Sequence, residues 1–374
     1  MLKSVKFNNF KMFKNDTFID LSASKSEILK EYNVFNNILR GCFFYGGNAS
    51  GKTTALHAIS ILLDMMFKEY IFSNYNVCIF SKTKIAKFEY EFVIDDSNIK
   101  YSFSVNPNGE ILKEFLFLDD VELVHRLGTQ ATTSLTLGSE EETKLVDSKI
   151  LFLRIIRFNN GLSEYPVLNK WMKFLENSIY IDNSISKQVT FNKDTLVETN
   201  LLSYLDKHGV EEVNEFFSYF GIPYALEYNK IVLPGQTIPT LEYNNLVTNC
   251  KVPYQLESYG NKILLQLLPY ILSIKNTGGM LLIDEFGGAL HNQLSELIIN
   301  YLFKNTQNTQ IFIVTHETNL LKSTLVRPDQ IYLVDYDQDG SKISKASKES
   351  PRESQNLEKM YLAGVFGGLP QYNN

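Results

Sequence analysis

Four short segments of this 374-residue chain carry residue types whose spacing suits phosphate chemistry. Gly46-Gly47-Asn48-Ala49-Ser50-Gly51-Lys52-Thr53 fits the pattern G-x-x-x-x-G-K-[ST]. Small residues let successive backbone N–H groups curl around a phosphate, the lysine adds a positive charge, and the hydroxyl reaches a magnesium ion. Thr54 extends the same turn. Met280-Leu281-Leu282-Ile283-Asp284-Glu285 is an apolar run ending in two acids. Asp284 is placed to hold the magnesium's water shell, and Glu285 to polarise an attacking water. Phe312-Ile313-Val314-Thr315-His316 is a second apolar run, and it ends in a histidine beside the position of a γ-phosphate. Ser258-Tyr259-Gly260 precedes a helical pattern. Ser258 suits a helix cap there, or, with the Gly260 amide, a γ-phosphate contact.

These segments need elements to hold them. Ile38 to Tyr45 reads as a continuous apolar strand of the kind buried on both faces. From Lys52 to about Tyr70 the apolar residues recur at helical spacing (Leu56, Ile59, Leu62, Leu63, Met66). Strand, glycine loop and helix thus follow in the order the loop requires. Residues 1–21 alternate as two short strands, and 86–118 as a β-meander. Thr129 to Thr143 reads as a polar loop. From about 165 to 220 the pattern is helical and stops at Gly221, and a short strand region follows to about Leu256. Asn261 to Ile274, with Pro269 expected to kink it, is a helix; Met280–Ile283 and Gln310–Val314 are strands separated by a helix over Leu290–Phe303. A hairpin over Ile331–Asp335 and Lys342–Ala346 closes the pattern. The expected fold is α/β: a P-loop head with an antiparallel β-meander lobe and an inserted, mainly helical region. The expected divisions are 1–118, 119–250 and 251–374.

Composition narrows the class. The chain is 44% hydrophobic and 21% charged, which excludes a disordered or fibrous protein. The net charge of −6 argues against a surface that coats nucleic acid throughout, and leaves a local basic face open. Lys82, Lys84 and Lys87 form one basic cluster; Lys342, Lys345, Lys348 and Arg352 form another. Three scattered cysteines, Cys42, Cys78 and Cys250, give neither a zinc spacing nor a disulfide framework. The apolar stretch Ile263–Ile274 is too short to span a bilayer, and the charged N-terminus is no signal peptide. A cytoplasmic protein is expected.

The order of phosphate loop, Ser-x-Gly before a helix, Ile-Asp-Glu, Ala289-Leu290-His291 and strand-histidine resembles the ABC-type ATPases. Ala289-Leu290-His291 looks like their D-loop with histidine in the aspartate's place. Tyr259 stands where Gly or Ser is common. FNNFKMF, EFLFLD, ESYGNK, LLIDEFGGALH, IVTHETNLL and YLAGVFGGLP resemble, more narrowly, the OLD-like ATPases of the RloA/AbiLi group, bacterial anti-phage proteins. The resemblance implies ATP and Mg²⁺ as cofactors and a head-to-tail homodimer or larger homo-oligomer. Gly46 through Thr54, Asp284, Glu285 and His316 would act from one copy; Ser258 and Gly260 would act from its neighbour. The family's Mg²⁺-sensing glutamine has no assignable counterpart.

The resemblance also frames what is missing. The 58 residues after His316 are too few for the C-terminal Toprim domain of OLD nucleases. Asp335, Asp337 and Asp339 share the D-x-D spacing of a metal site but read as a hairpin turn. No HEPN, restriction-type, HNH or zinc-protease motif is present. The expected function is therefore an ATP-driven sensor or scaffold that controls a separate effector, a nuclease, in anti-phage defence. A RecF- or SMC-like DNA-repair ATPase is the alternative, though no long coiled coil appears. A transporter motor fits least, because 206 residues separate Lys52 from Ser258.

Overall fold

Alternate residues of three apolar strands belong to two different cores. Cys42 and Phe44, Met280 and Leu282, and Phe312 and Val314 join one cluster. Phe43 and Tyr45, Leu281 and Ile283, and Ile311 and Ile313 join the other. Period-two alternation with no polar face is what a parallel strand covered on both sides requires. The computed structural model describes every residue except 136–143, 160–161, 163, 184–186, 192–199, 289, 353–354 and 370–374.

These strands form the middle of a seven-stranded sheet. Its order is Lys187–Thr190, Ile179–Asp182, Gly279–Phe286, Thr309–Thr315, Gly41–Gly46, Ile331–Asp337, Gly340–Lys345. The five inner strands run parallel, and both edge strands run antiparallel to their neighbours. The apolar run expected over Ile38–Tyr45 is broken at Arg40, whose guanidinium donates to the Phe303 and Thr306 carbonyls.

The second large sheet is antiparallel. Its order is Lys144–Leu145, Gln130–Thr133, Val121–Leu127, Ile111–Leu118, Ser97–Val105, Ala86–Ile94, Leu2–Asn8, Thr17–Asp20. The meander thus continues past residue 118, and Gln130–Thr133 is a strand within the expected loop; residues 136–143 of that loop lie outside the described residues. The helix Lys52–Phe67 touches strands of both sheets and is buried nearly all round, as its apolar composition demands. Gln310 ties the sheets together: its Oε1 accepts from the Leu2 N–H at 2.6 Å, and its Nε2 donates to the Leu2 and Leu39 carbonyls.

Residues 119–250 hold the helices Phe152–Phe158, Pro166–Glu176, Leu201–His208 and Glu211–Tyr219. They share that stretch with strands. Ile179–Asp182 and Lys187–Thr190 complete the seven-stranded sheet, and Tyr224–Leu233 and Gln236–Asn245 form a hairpin that pairs on with Lys251–Pro253. Residues 229–239, at the hairpin's end, are all exposed. The helices Tyr259–Thr277, with Pro269 inside it, and Asn292–Asn305 pack on the second core. Among the described residues no helix is long and apolar enough to cross a membrane.

Candidate functional site

The phosphate loop joins the strand Gly41–Gly46 to the helix Lys52–Phe67. Two of its glycines face close neighbours. A Cβ on Gly46 would lie 2.3 Å from the Val334 carbonyl oxygen, and one on Gly51, at φ 109°, 2.5 Å from Ser341 Oγ. The same Ser341 hydroxyl donates to the Ser50 carbonyl at 2.6 Å. The hairpin Ile331–Lys345 therefore braces the loop from outside, a role that its sequence did not announce. Inside the loop, Lys52 Nζ donates to the Gly46 and Gly47 carbonyls at 3.0 and 2.9 Å. Burial lowers the ammonium's pKa, while Glu285 and Asp284 pull it upward.

The loop offers donors to an anion. No side chain caps the 16-residue helix at Gly51, so the N–H groups of its first turn have no intrahelical acceptor. Ser50 Oγ is buried and has no hydrogen-bond partner. Uncapped amides, an orphaned hydroxyl and the Lys52 ammonium together fit a polyphosphate.

Asp284 and Glu285 close the strand Gly279–Phe286. Thr53 Oγ1 donates to Asp284 Oδ1 at 3.2 Å, and the Glu285 N–H donates to the same oxygen at 3.1 Å. Burial pushes the Asp284 carboxyl up to about 6, with Asp182 and Glu285 adding repulsion against the Thr53 hydrogen bond. A divalent cation beside it would remove that repulsion. Among the described residues no group of three His, Cys, Asp or Glu side chains could hold a metal. One carboxylate and one hydroxyl suit Mg²⁺, which takes its other ligands from phosphate and water.

Glu285 has a positive φ of 53°, and the pairing with Thr309–Thr315 shifts register between Ile283 and Phe286. Such an irregularity re-aims a side chain at a strand end, and the backbone conformation is costly for a glutamate. Its carboxylate is half-buried, and its charge acts on both Lys52 and His316. His316 is exposed just beyond Thr315. Desolvation and Lys52 hold its imidazole below the ordinary value, against Glu285. Thr315 fixes this junction: its hydroxyl donates to the Phe286 carbonyl at 2.8 Å and accepts from the Glu317 N–H at 3.0 Å.

The fold thus gathers Gly46 through Thr54, Asp284, Glu285 and His316. It does not bring Ser258 and Gly260 to them within one chain. They head the helix Tyr259–Thr277, where Ser258 Oγ accepts from the Asn261 N–H at 3.3 Å, and Ser258 and Tyr259 are exposed. His291 Nδ1 accepts from the Gln293 N–H and caps the helix Asn292–Asn305, as an aspartate would. Ala289 lies outside the described residues.

Asp182 and Asn183 are additions that the sequence did not reveal. Asp182 pairs with Asp284 across parallel strands. The Asn183 N–H donates to the Asp284 carbonyl at 3.2 Å, and its Nδ2 lies 3.4 Å from the Glu285 carbonyl oxygen. The only sequence signal was the alternating Ile-Tyr-Ile followed by two polar residues. Of the basic clusters, Lys82, Lys84 and Lys87 are exposed. Lys342 pairs with Asp337, and Lys345 is half-buried over the Tyr332 ring.

The model of one protein family, described as an AAA domain, putative AbiEii toxin of a type IV TA system, matches residues 43–322. The chain belongs to this AAA-domain family. The matched span runs from inside the phosphate-loop strand to beyond His316. No curated protein matches the chain. Several solved structures share the fold of this AAA-domain protein. The SMC head domain from Thermotoga maritima is 15% identical, with 92% of this chain and 98% of that one covered, at a TM-score of 0.50. An SMC head bound to the C-terminal winged-helix domain of ScpA is 14% identical, covering 92% and 97% at 0.52. The Pyrococcus furiosus head with an extended coiled coil, bound to the ScpA C-terminal domain, is 13% identical, covering 97% and 98% at 0.50. The fold is accordingly a mixed α/β P-loop ATPase head with a large antiparallel sheet.

Proposed function

We propose that this protein binds and hydrolyses ATP with Mg²⁺, and uses the cycle to control a separate effector in bacterial anti-phage defence, as an OLD-like ATPase of the RloA/AbiLi kind. The Thr53–Asp284 contact, with Glu285 next in the chain, carries the reading of the chemistry. Lys52 and the loop amides bind the β- and γ-phosphates. Thr53 and Asp284 hold Mg²⁺, which offsets charge on the phosphates. Glu285 accepts the proton of the attacking water, and His316 donates a hydrogen bond to the γ-phosphate. Ser258, exposed, and Gly260, half-buried, at their helix head complete the site of a second copy in a head-to-tail homodimer.

The proposed partner is a nuclease, read by the 119–250 region, and the site of action is the cytoplasm. The family description, a putative toxin of a type IV TA system, fits a two-component arrangement and puts the toxin label on this chain's own family, which the following test addresses. The test is expression in a bacterium with and without the neighbouring gene product. Phage protection should need both proteins, and should be lost with Lys52→Ala or Glu285→Gln. Toxicity or nucleic-acid cleavage by this chain alone would contradict the sensor reading. Co-purification with DNA and no second protein would favour a RecF- or SMC-like repair ATPase instead.

A further inference from the structure

His57 lies one helical turn beyond Thr53, half-buried, and both of its ring nitrogens have partners. Nδ1 is 2.7 Å from Lys11 Nζ, and Nε2 is 3.0 Å from the Tyr180 hydroxyl. An ammonium can only donate, so Nδ1 accepts. The neutral ring then carries its proton on Nε2 and donates it to the tyrosine oxygen. The direction of the chain Lys11, His57, Tyr180 holds with Lys11 as an ammonium, whose pKa burial lowers and Asp64 raises.

The three residues come from three parts of the fold. Lys11 sits between the first two strands of the antiparallel sheet at φ 47°, its N–H donating to the Asn76 carbonyl at 2.9 Å. His57 is on the phosphate-loop helix. Tyr180, 6% exposed, is on the strand Ile179–Asp182. That strand has only four residues. It pairs Tyr180 with Leu282 and Asp182 with Asp284, and Asn183 continues it to the Asp284 carbonyl. The strand is paired on both sides over its four residues, and the Tyr180–His57 contact adds a side-chain tie two residues before Asp182, toward the phosphate-loop helix.

We propose that Lys11 and His57 are positioning residues of the metal site: through Tyr180 they hold Asp182 and Asn183 against Asp284, and so set the affinity for the divalent ion. The inference rests on the reading that Thr53 and Asp284 hold Mg²⁺. Partners behind metal ligands commonly change affinity by about 10–100-fold when removed.

The test measures Mn²⁺ binding to the full chain by electron paramagnetic resonance, with a non-hydrolysable ATP analogue present. His57→Phe and Tyr180→Phe should each weaken Mn²⁺ binding by about tenfold. The double variant should be no worse than either single one, because both remove the same link. Metal-free binding of the analogue should not change. His57→Gln keeps an acceptor toward Lys11 and a donor toward Tyr180, and should restore parental affinity. A role in packing alone predicts the reverse, with Phe tolerated and Gln harmful. Parental Mn²⁺ affinity in both Phe variants, or additive losses, would overturn the proposal. Asp284→Asn separates the two levels: if it leaves Mn²⁺ binding intact, the reading of the metal site itself fails.

Discussion

Thr53 and Asp284 stand 231 residues apart in sequence, and their side chains meet in a 3.2 Å hydrogen bond. The contact joins the first turn of the phosphate-loop helix to the tip of the strand Gly279–Phe286. It places a hydroxyl and a buried carboxyl on one side of the loop, where a magnesium–phosphate complex needs them.

The Asp284 carboxyl is itself a source of instability. Its folded pKa, about 6, lies above the ordinary value of 3.8. The fold therefore disfavours the carboxylate: stability is greatest below the lower value and falls as pH rises to the higher one. Asp284→Asn keeps an acceptor for Thr53 and Glu285 and removes the charge. Thermal unfolding without Mg²⁺ near neutral pH should show a gain of about 1–3 kcal/mol. Below about pH 4 the gain should vanish, because Asp284 is then protonated in both states. A gain of the same size at both pH values would contradict this account of the site.

In the proposed site Mg²⁺ and protons compete for the Asp284 carboxylate. Mg²⁺-dependent nucleotide binding should weaken as pH falls through about 6, the folded value for Asp284. Asp284→Asn should lack that step, whereas protonation of the nucleotide's own terminal phosphate, with a pKa of about 6, affects both proteins alike. Titration calorimetry across this range checks the difference.

Glu285 is the proposed base, so Glu285→Gln should retain ATP while turnover drops by roughly 10²-fold or more. Lys52→Ala should instead weaken nucleotide binding itself. Filter binding and phosphate release, measured on the same preparations, distinguish the two phenotypes. Near-parental turnover in the Gln variant would remove Glu285 from the mechanism.

Much of this site was legible in the sequence because its pieces are local. The glycine loop, Ile-Asp-Glu and Thr-His each keep strand, turn and functional residue within a few positions, so spacing alone locates them. The inner strands were legible for a related reason: burial on both faces leaves a continuous apolar run, as in Leu281-Leu282-Ile283. Asp182, Asn183 and Ser341 were not legible. Their roles come from contacts with a strand roughly 100 positions away and a loop roughly 290 positions away in the chain, which periodicity does not encode. The strands Val121–Leu127 and Gln130–Thr133 were missed because polar turn residues crowd them. The hairpin Tyr224–Asn245 is longer than its sequence suggested, because it extends into solvent with no apolar alternation to mark its end.

The proposed cycle requires that ATP be hydrolysed at a site made by two copies, with Lys52 from one and Ser258 from the other. The most direct test is ATPase activity after mixing Ser258→Arg with Lys52→Ala at equal concentration. Each variant alone should be inactive. In the mixture half of the dimers pair the two variants, and each of these regenerates one intact site of two, so roughly a quarter of parental activity should return. No recovery, with mixed dimers shown to form, would contradict the composite site, and so would parental activity in Ser258→Arg alone.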